Sequence, residues 1–184
     1  AIGTARNINR STDVLALLMI QSGAVMVDRE RNEAAFSKSV DNQPLGAVAL
    51  EYYTDFANPT KNIYAWNDNL FYSIDAFTTE RTAMMFSYSH HIQTIRAKAP
   101  RLNFGVALMP QISDSPVRVD YANYFAPAVS ASSKNQKAAW KFLTYLSSRD
   151  GALSYLGESL RPSARRDLID FQKTDPDLGV YAKQ

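Results

Sequence analysis

The protein has 184 residues, of which 46% are hydrophobic, 11% aromatic and 21% charged. This composition is close to the globular average and excludes a disordered, collagen-like or coiled-coil chain. The 20 Lys and Arg residues against 18 Asp and Glu residues give a formal net charge of +2. Because the basic residues are interspersed with acidic ones, the sequence does not predict nucleic-acid binding.

The sequence contains no cysteine, which excludes disulfide bonds, thiolate nucleophiles and zinc sites built on cysteine. The longest apolar run, 14–20, is much shorter than the roughly 20 residues that a membrane-spanning helix needs. Residues 1–10 begin without Met and lack the pattern of a signal peptide. We therefore expect a mature chain or a piece cut from a longer protein.

Helices dominate the predictions for the first hundred residues. Hydrophobic periodicity and capping residues predict helices over 12–21, 44–56, 69–79 and 90–98. The first of them is apolar all round, which is typical of a helix buried between layers. A short β-like piece is expected at 25–27. The continuous apolar run 82–88 is typical of a strand that is covered on both faces.

The second half of the chain combines extended segments with helices. Alternation of apolar and smaller residues predicts a strand over 103–109, and 117–131 is expected to be extended. Helices are predicted at 134–146 and 150–157, with two short helical patterns in the tail. Three or four strands are few for an α/β sheet, which normally has about five or six. We therefore expect further strands outside this sequence, upstream of residue 1.

Two candidate motifs lack the arrangement that metal binding or catalysis needs. His90 and His91 would point about 100° apart on a helix and cannot chelate one ion together. Residues 157–161 (GESLR) resemble the nucleophile elbow of hydrolases, but Arg161 stands where a second glycine is needed. No motif predicts a cofactor or metal. Scattered carboxylates leave a small glycoside or ester hydrolase as the alternative function.

Aromatic residues in non-helical segments are the stronger functional signal. Several stand beside polar residues: Tyr64, Trp66, Tyr88, Tyr121 and Tyr124. We expect the first two, in a loop-like stretch, to be exposed. A sugar can stack its C–H face on such a ring while its hydroxyls bond to amides. The same rings would also suit a hydrophobic core or its rim, so both interpretations stay open.

Six motifs in order carry a resemblance to a known family. They are GAVALEYYTDFANP at 46–59, Trp66, FTTERTAM at 77–84, FGVALMP at 104–110, SKNQKAAWKFL at 133–143 and RPSARRD at 161–167. Together they resemble the C-terminal half of bacterial extracellular solute-binding proteins of the carbohydrate-binding family, relatives of maltose-binding protein. Glu80 departs from the family pattern, which has a glycine there, and this leaves open whether a left-handed helix cap forms.

The resemblance implies an α/β fold. It is the C-terminal part of a two-lobe, type II periplasmic-binding-protein-like architecture, with helices packed on a small mixed sheet and the N-terminal lobe missing from this sequence. Residues 1–89 would belong to the second lobe. Residues 90–130 would form hinge-crossing strands that pack with the first lobe, and 131–184 would form a helical segment that returns to the second lobe.

The resemblance also implies a function without catalysis. A carbohydrate would bind in the cleft between the lobes and be delivered to an ABC importer, outside the cytoplasm, in the periplasm or with a lipid anchor at the cell surface. The expected partners are a sugar or oligosaccharide, the permease subunits and the N-terminal lobe. Carried over by position, the expected ligand-binding residues are Trp66, Tyr88, Ser89, Tyr121, Asn123 and Arg161.

Overall fold

A computed structural model describes all residues of the chain, 1–184, as two compact units. The segments of the first unit are Ala1–Tyr88, Gln93–Leu102 and Met109–Tyr121. Those of the second are Ser89–Ile92, Asn103–Leu108 and Ala122–Gln184. Neither unit is one continuous stretch of chain. These units are not the lobes that the resemblance implies, and the predicted lobe boundaries stay a prediction.

The first unit contains three complete helices, most of a fourth and a two-stranded hairpin. The helices are α1 (Ser11–Gln21), α2 (Leu45–Asp55) and α3 (Ser73–Thr78), and the antiparallel strands are β1 (Val27–Asp28) and β2 (Glu33–Ala34). α1 and α2 confirm two predicted helices. α3 is shorter than predicted: residues 69–72 lie outside it, and the carbonyl of Leu70 in that stretch accepts from the side chain of Asn7 instead of from a helical amide.

α1 and α2 pack on each other and form the larger hydrophobic cluster of this unit. Its buried members are Met19, Ala24 and Ala49. α1 is buried on several sides, with Val14 and Leu17 also inaccessible, and this confirms the interior helix that its all-round apolar sequence predicts. At the start of α2 the chain comes so close that a Cβ on Gly46 would lie 1.9 Å from the carbonyl oxygen of Phe36.

α3 ends in a left-handed cap in spite of its sequence. Glu80 has a φ of 60°, the amide of Arg81 donates to the carbonyl of Ala76 over 2.8 Å, and the amide of Glu80 donates to that of Phe77 over 3.1 Å. This pair of bonds is the Schellman arrangement, which glycine favours. The cap therefore forms here with Glu80 at the position that glycine usually occupies.

The second unit is helical. Of α4 (His91–Lys98) it contains the first two residues, and the other six belong to the first unit. The further elements of the second unit are α5 (Gln136–Ser147), α6 (Arg149–Ser159), a 3-10 turn (Arg166–Leu168), α7 (Ile169–Gln172) and α8 (Gly179–Lys183). These elements confirm the helices predicted from periodicity. The hydroxyl of Ser148 caps α6 by accepting from the amide of Gly151. The buried side chain of Gln172 binds backbone groups of Arg161 and Ser163 and ties the tail together.

Two predicted strands do not form, because neither segment pairs with another strand. Residues 82–88 and 103–109 lie outside any helix or strand, and the hairpin of β1 and β2 is the sheet of this chain. Met84 is 78% exposed, which contradicts a strand covered on both faces. A strand exists only where a second backbone accepts and donates its hydrogen bonds. The prediction of helices with a small sheet is confirmed.

No helix of the structure is both long enough and apolar enough to cross a membrane.

Candidate functional site

Tyr88 lies beside the first turn of α1. Its hydroxyl donates a hydrogen bond of 2.8 Å to Oδ2 of Asp13, and the guanidinium of Arg10 lies 5.8 Å from the centre of its ring. That second distance is within cation–π range. Asp13 stands where the helix dipole favours a carboxylate, and Arg10 has a left-handed φ of 57°. The predicted tyrosine is thus grouped with a cation and a carboxylate, both of which can bind hydroxyl groups.

Sequence reasoning missed Arg10 and Asp13 as site residues. Asp13 precedes Tyr88 by 75 positions, and no motif links the two segments. Asp13 by itself fits an ordinary acidic residue in a first helical turn. Only the folded chain brings these three side chains together.

Trp66 is buried, contrary to the expectation that this loop exposes its rings. It is 5% exposed and packs in a hydrophobic cluster with Ile8 and Ala76. Its indole Nε1 is also buried and has no hydrogen-bond partner in the structure. Tyr64 of the same loop is exposed as expected. The stacking role of Trp66 against a ligand stays a prediction.

Buried amides of the N-terminal segment hold the loop around Trp66. Nδ2 of Asn7 donates to the carbonyl oxygens of Asn67 (2.8 Å) and Leu70 (2.9 Å). The hydroxyl of Tyr72 donates to Oδ1 of Asn9, whose Nδ2 has no partner. Both asparagines are more than nine-tenths buried. Sequence reasoning missed them too, because an asparagine in an irregular segment carries no sign of a distant partner.

The other expected site residues are divided between the units. Tyr121 is half-buried and belongs to the first unit, as do Trp66 and Tyr88. Ser89, Asn123 and Arg161 belong to the second. The carbonyl of Ser89 accepts from the amide of Ile92 at the start of α4, and the carbonyl of Arg161 accepts from Gln172. Within the first unit, Trp66 and Tyr88 have different neighbours.

A cavity of about 410 Å³ lies at the hairpin and contains none of the predicted residues. Its lining residues are Val25, Val27, Asp28, Arg29, Glu30, Ala35, Lys38, Ser39 and Val40. It has no aromatic ring, and Lys38 of its wall forms ion pairs with Asp28 and Glu33. These features do not resemble a sugar site, in which rings stack on the ligand.

The pKa shifts of Tyr53 and Asp167 arise from burial and from a hydrogen bond. No three His, Asp or Glu side chains are grouped so that they could hold a metal ion. Burial raises the pKa of Tyr53, whose hydroxyl donates to the carbonyl of Thr4 over 2.8 Å. The hydrogen bond from Arg165 lowers the pKa of Asp167 at the surface. Tyr53, Arg165 and Asp167 are not among the predicted site residues.

Comparison with solved structures finds a chain of similar fold. The chain is similar to an ABC transporter solute-binding protein from Thermotoga lettingae TMO bound with alpha-D-tagatose, with 24% sequence identity and a TM-score of 0.56. The match covers 88% of this chain and 40% of that structure, so this chain spans less than half of its length. A search of curated proteins finds no significant match.

Comparison with protein families decides the assignment. The model of a family described as bacterial extracellular solute-binding protein matches residues 4–175, which is most of the chain. The resemblance inferred from the six motifs is confirmed, together with the partial α/β fold and the extracytoplasmic location of such proteins. This chain belongs to the bacterial extracellular solute-binding protein family.

Proposed function

We propose that this chain takes part in binding a carbohydrate for uptake by an ABC transporter. The observation that carries this proposal is the family match over residues 4–175. The tagatose in the similar structure supports a sugar as the class of solute. The expected partners are a sugar or oligosaccharide and the permease subunits of the importer.

Ligand contacts are proposed at the six residues carried over from the family. Among them Tyr88 has the most suitable surroundings, because Asp13 can accept from sugar hydroxyls and Arg10 can donate to them. The other five contribute either a ring or polar atoms of the kinds that sugars need: Trp66, Ser89, Tyr121, Asn123 and Arg161.

Binding by closure of two lobes is the proposed mechanism. A ligand that touches both lobes stabilises the closed state over the open one by the difference in its affinity for them. In this proposal the first lobe is in a longer chain, here called the complete receptor, which is in the periplasm or anchored to the cell surface by a lipid. One lobe alone makes only part of the contacts, so the 184-residue chain should bind sugar weakly.

The local structure at 157–161 favours the binding function over a serine hydrolase. Gly157 lies inside α6 and Ser159 is the last residue of that helix. A nucleophile elbow instead places its serine on a sharp turn between a strand and a helix. We therefore propose a protein that does not catalyse a reaction, and an assay for turnover of glycosides and esters tests that point.

A thermal-shift screen of the complete receptor against a sugar panel tests the proposed function. The panel includes D-tagatose, and amino acids and dipeptides serve as solutes of other classes. A sugar held by the native state raises the melting temperature by mass action, and calorimetry then gives its Kd. A shift with amino acids or peptides and none with any sugar would contradict the proposal.

A further inference from the structure

Helix α5 combines a partly covered side with an exposed one. Ala139, Leu143 and Leu146 recur at helical spacing and are half-buried. The exposed side carries four residues, here called the α5 outer face: Lys137, Trp140, Lys141 and Tyr145. Residues three or four positions apart share one side of a helix, and this spacing links the four into one surface. Both lysines are exposed, and each of the two rings is 57% exposed.

The charges around this face all have the same sign. Residues 121–149 contain no Asp or Glu, and their basic residues are Lys134, Lys137, Lys141 and Arg149. A soluble surface usually intersperses both signs of charge, and helices gain stability from acidic and basic residues three or four positions apart. α5 and its flanks supply no acidic partner of this kind for Lys137 or Lys141. The α5 outer face therefore presents a positive charge to any anionic partner.

The aromatic rings beside these lysines narrow the choice of partner. A large ring on the polar side of a helix leaves apolar area in water, which is unfavourable without a further contact. Trp and Tyr are enriched at membrane–water interfaces, where the ring lies at the level of the lipid headgroups. Lysines near an anionic bilayer each add to the binding free energy. Rings and lysines together are typical of a helix that lies on an anionic membrane surface.

We infer that the α5 outer face binds the anionic phospholipid headgroups of a bilayer. The lysines attract the lipid phosphates, and the rings of Trp140 and Tyr145 lie among the headgroups. The half-buried side of α5 stays packed within the protein. Members of this family are extracytoplasmic proteins, so the outer surface of a membrane is within their reach. The inference uses this location and not the identity of the solute, and so it goes beyond the proposed function.

An acidic protein surface is the other partner that this charge would suit. α5 is about 18 Å long and about 10 Å wide by helix geometry, so one of its faces offers much less than the roughly 800 Å² per partner of a specific protein interface. Binding to a membrane has no such minimum, because it adds up from a few lysines and rings. The size of the α5 outer face therefore favours the membrane, and the acidic protein becomes an outcome of the test.

Flotation of the complete receptor with lipid vesicles tests the inference. The receptor is produced without an attached lipid and mixed with vesicles of phosphatidylcholine alone or of phosphatidylcholine with phosphatidylglycerol. We expect binding to the mixed vesicles only, and weaker binding at high salt. The double variant Lys137→Gln, Lys141→Gln should bind about 25-fold more weakly, since each basic residue near an anionic surface contributes about fivefold. Trp140→Ala should also weaken binding, because it removes apolar area from the interface.

Two further double variants serve as controls. Lys137→Arg, Lys141→Arg keeps the charge and should keep the binding, which separates charge from an altered fold. Lys173→Gln, Lys183→Gln removes the same charge from exposed residues in the tail of the same unit. It should bind within about twofold of the wild type, because attraction to the membrane falls off within a Debye length. Circular dichroism checks the folding of every variant.

Other results would overturn the inference. Equal binding to phosphatidylcholine alone would leave the lysines without a role. An equal loss in the tail variant would assign the binding to the net charge of the receptor. No flotation with the mixed vesicles would exclude the membrane, and lysine-dependent binding to permease subunits in phosphatidylcholine nanodiscs would then assign the α5 outer face to an acidic protein. Membrane binding by a receptor that binds no sugar would contradict only the proposed function.

Discussion

The hydroxyl of Tyr88 and the carboxylate of Asp13 form a 2.8 Å hydrogen bond across 75 positions of sequence. The bond joins the extended segment after α3 to the first turn of α1, and Arg10 lies over the same ring. A carboxylate can accept about four hydrogen bonds, so this one leaves acceptor capacity on Asp13. A residue expected to bind ligand therefore has two polar neighbours of the chemistry that a sugar requires.

Loss of either partner in this bond should weaken solute binding. In the complete receptor, Tyr88→Phe and Asp13→Asn should each weaken the free energy of solute binding by roughly 0.5 to 1.5 kcal/mol. This is the net value of one hydrogen bond. The double variant should cost less than the sum, since both changes break the same bond. Calorimetry measures the three affinities.

An exposed ion pair in the same unit provides the control for these variants. Lys98 and Asp75 form it at 2.8 Å, and Lys98→Gln should leave the solute affinity unchanged. An unaltered affinity for Tyr88→Phe would show that Tyr88 serves the structure alone.

Replacement of Trp66 separates packing from ligand stacking. In the 184-residue chain, Trp66→Ala should lower the free energy of unfolding by about 3 to 5 kcal/mol, because it empties the cluster with Ile8 and Ala76. Trp66→Phe should cost less than about 1.5 kcal/mol, since it keeps a ring and removes the unpartnered indole N–H. Urea denaturation measures both.

Stacking of Trp66 on a solute is a second question, answered in the complete receptor. If the ring stacks, Trp66→Phe should nearly retain the affinity and Trp66→Ala should lose about 1 to 3 kcal/mol of sugar binding. Equal affinities for the wild type and a folded Trp66→Ala variant would assign the residue to packing.

Tyr53 should make the stability of the chain sensitive to high pH. Burial raises its pKa in the folded state, so its contribution is complete below the unfolded value of about 10 and is lost as the pH rises through the folded pKa. Tyr53→Phe removes the bond to the carbonyl of Thr4 and should cost about 1 kcal/mol at pH 7. It should also reduce the loss of stability above pH 10.

Urea midpoints between pH 7 and 11 measure this effect. Tyr52→Phe is the matched control, because Tyr52 is the neighbouring tyrosine of α2 and is exposed. It should leave the alkaline loss of stability in place. The same pH profile for Tyr53→Phe and the wild type would rule out this role for Tyr53.

Two glycines in helices should respond to alanine in opposite directions. A Cβ at Gly46 would overlap the carbonyl oxygen of Phe36, so Gly46→Ala should destabilise the chain by about 1 to 3 kcal/mol. Gly157 of α6 has open space around it, so Gly157→Ala should stabilise the chain by about 0.5 to 1 kcal/mol. Thermal unfolding compares them, and destabilisation by both would contradict the open environment of Gly157.

Glycine at position 80 should relieve the strained cap of α3. Glu80 has a left-handed φ of 60°, which glycine adopts without a steric penalty. Glu80→Gly should therefore raise the free energy of unfolding by up to about 1 kcal/mol, although glycine also increases the entropy of the unfolded chain. Glu80→Ala, which keeps the strain and loses the carboxylate, is the control. A loss of stability for the glycine variant alone would refute the strain argument.

Local patterns of the sequence determined most of the helices. α1, α2, α4, α5 and α6 follow from apolar residues at helical spacing, because a helix satisfies its backbone hydrogen bonds within one segment. The order of six short motifs determined the family, because six motifs in the right order and at suitable spacing are specific together even where each is weak. Composition excluded disulfides and cysteine-based metal sites without any structure.

Tertiary structure alone decided the features that depend on distant partners. Residues 82–88 and 103–109 carry strand-like sequences, but a strand needs a second backbone strand to pair with, and neither segment is part of the sheet. The burial of Trp66 against Ile8 and the bond between Tyr88 and Asp13 join segments more than 50 residues apart. Such contacts depend on the free energy of the whole fold, so a local sequence pattern does not predict them.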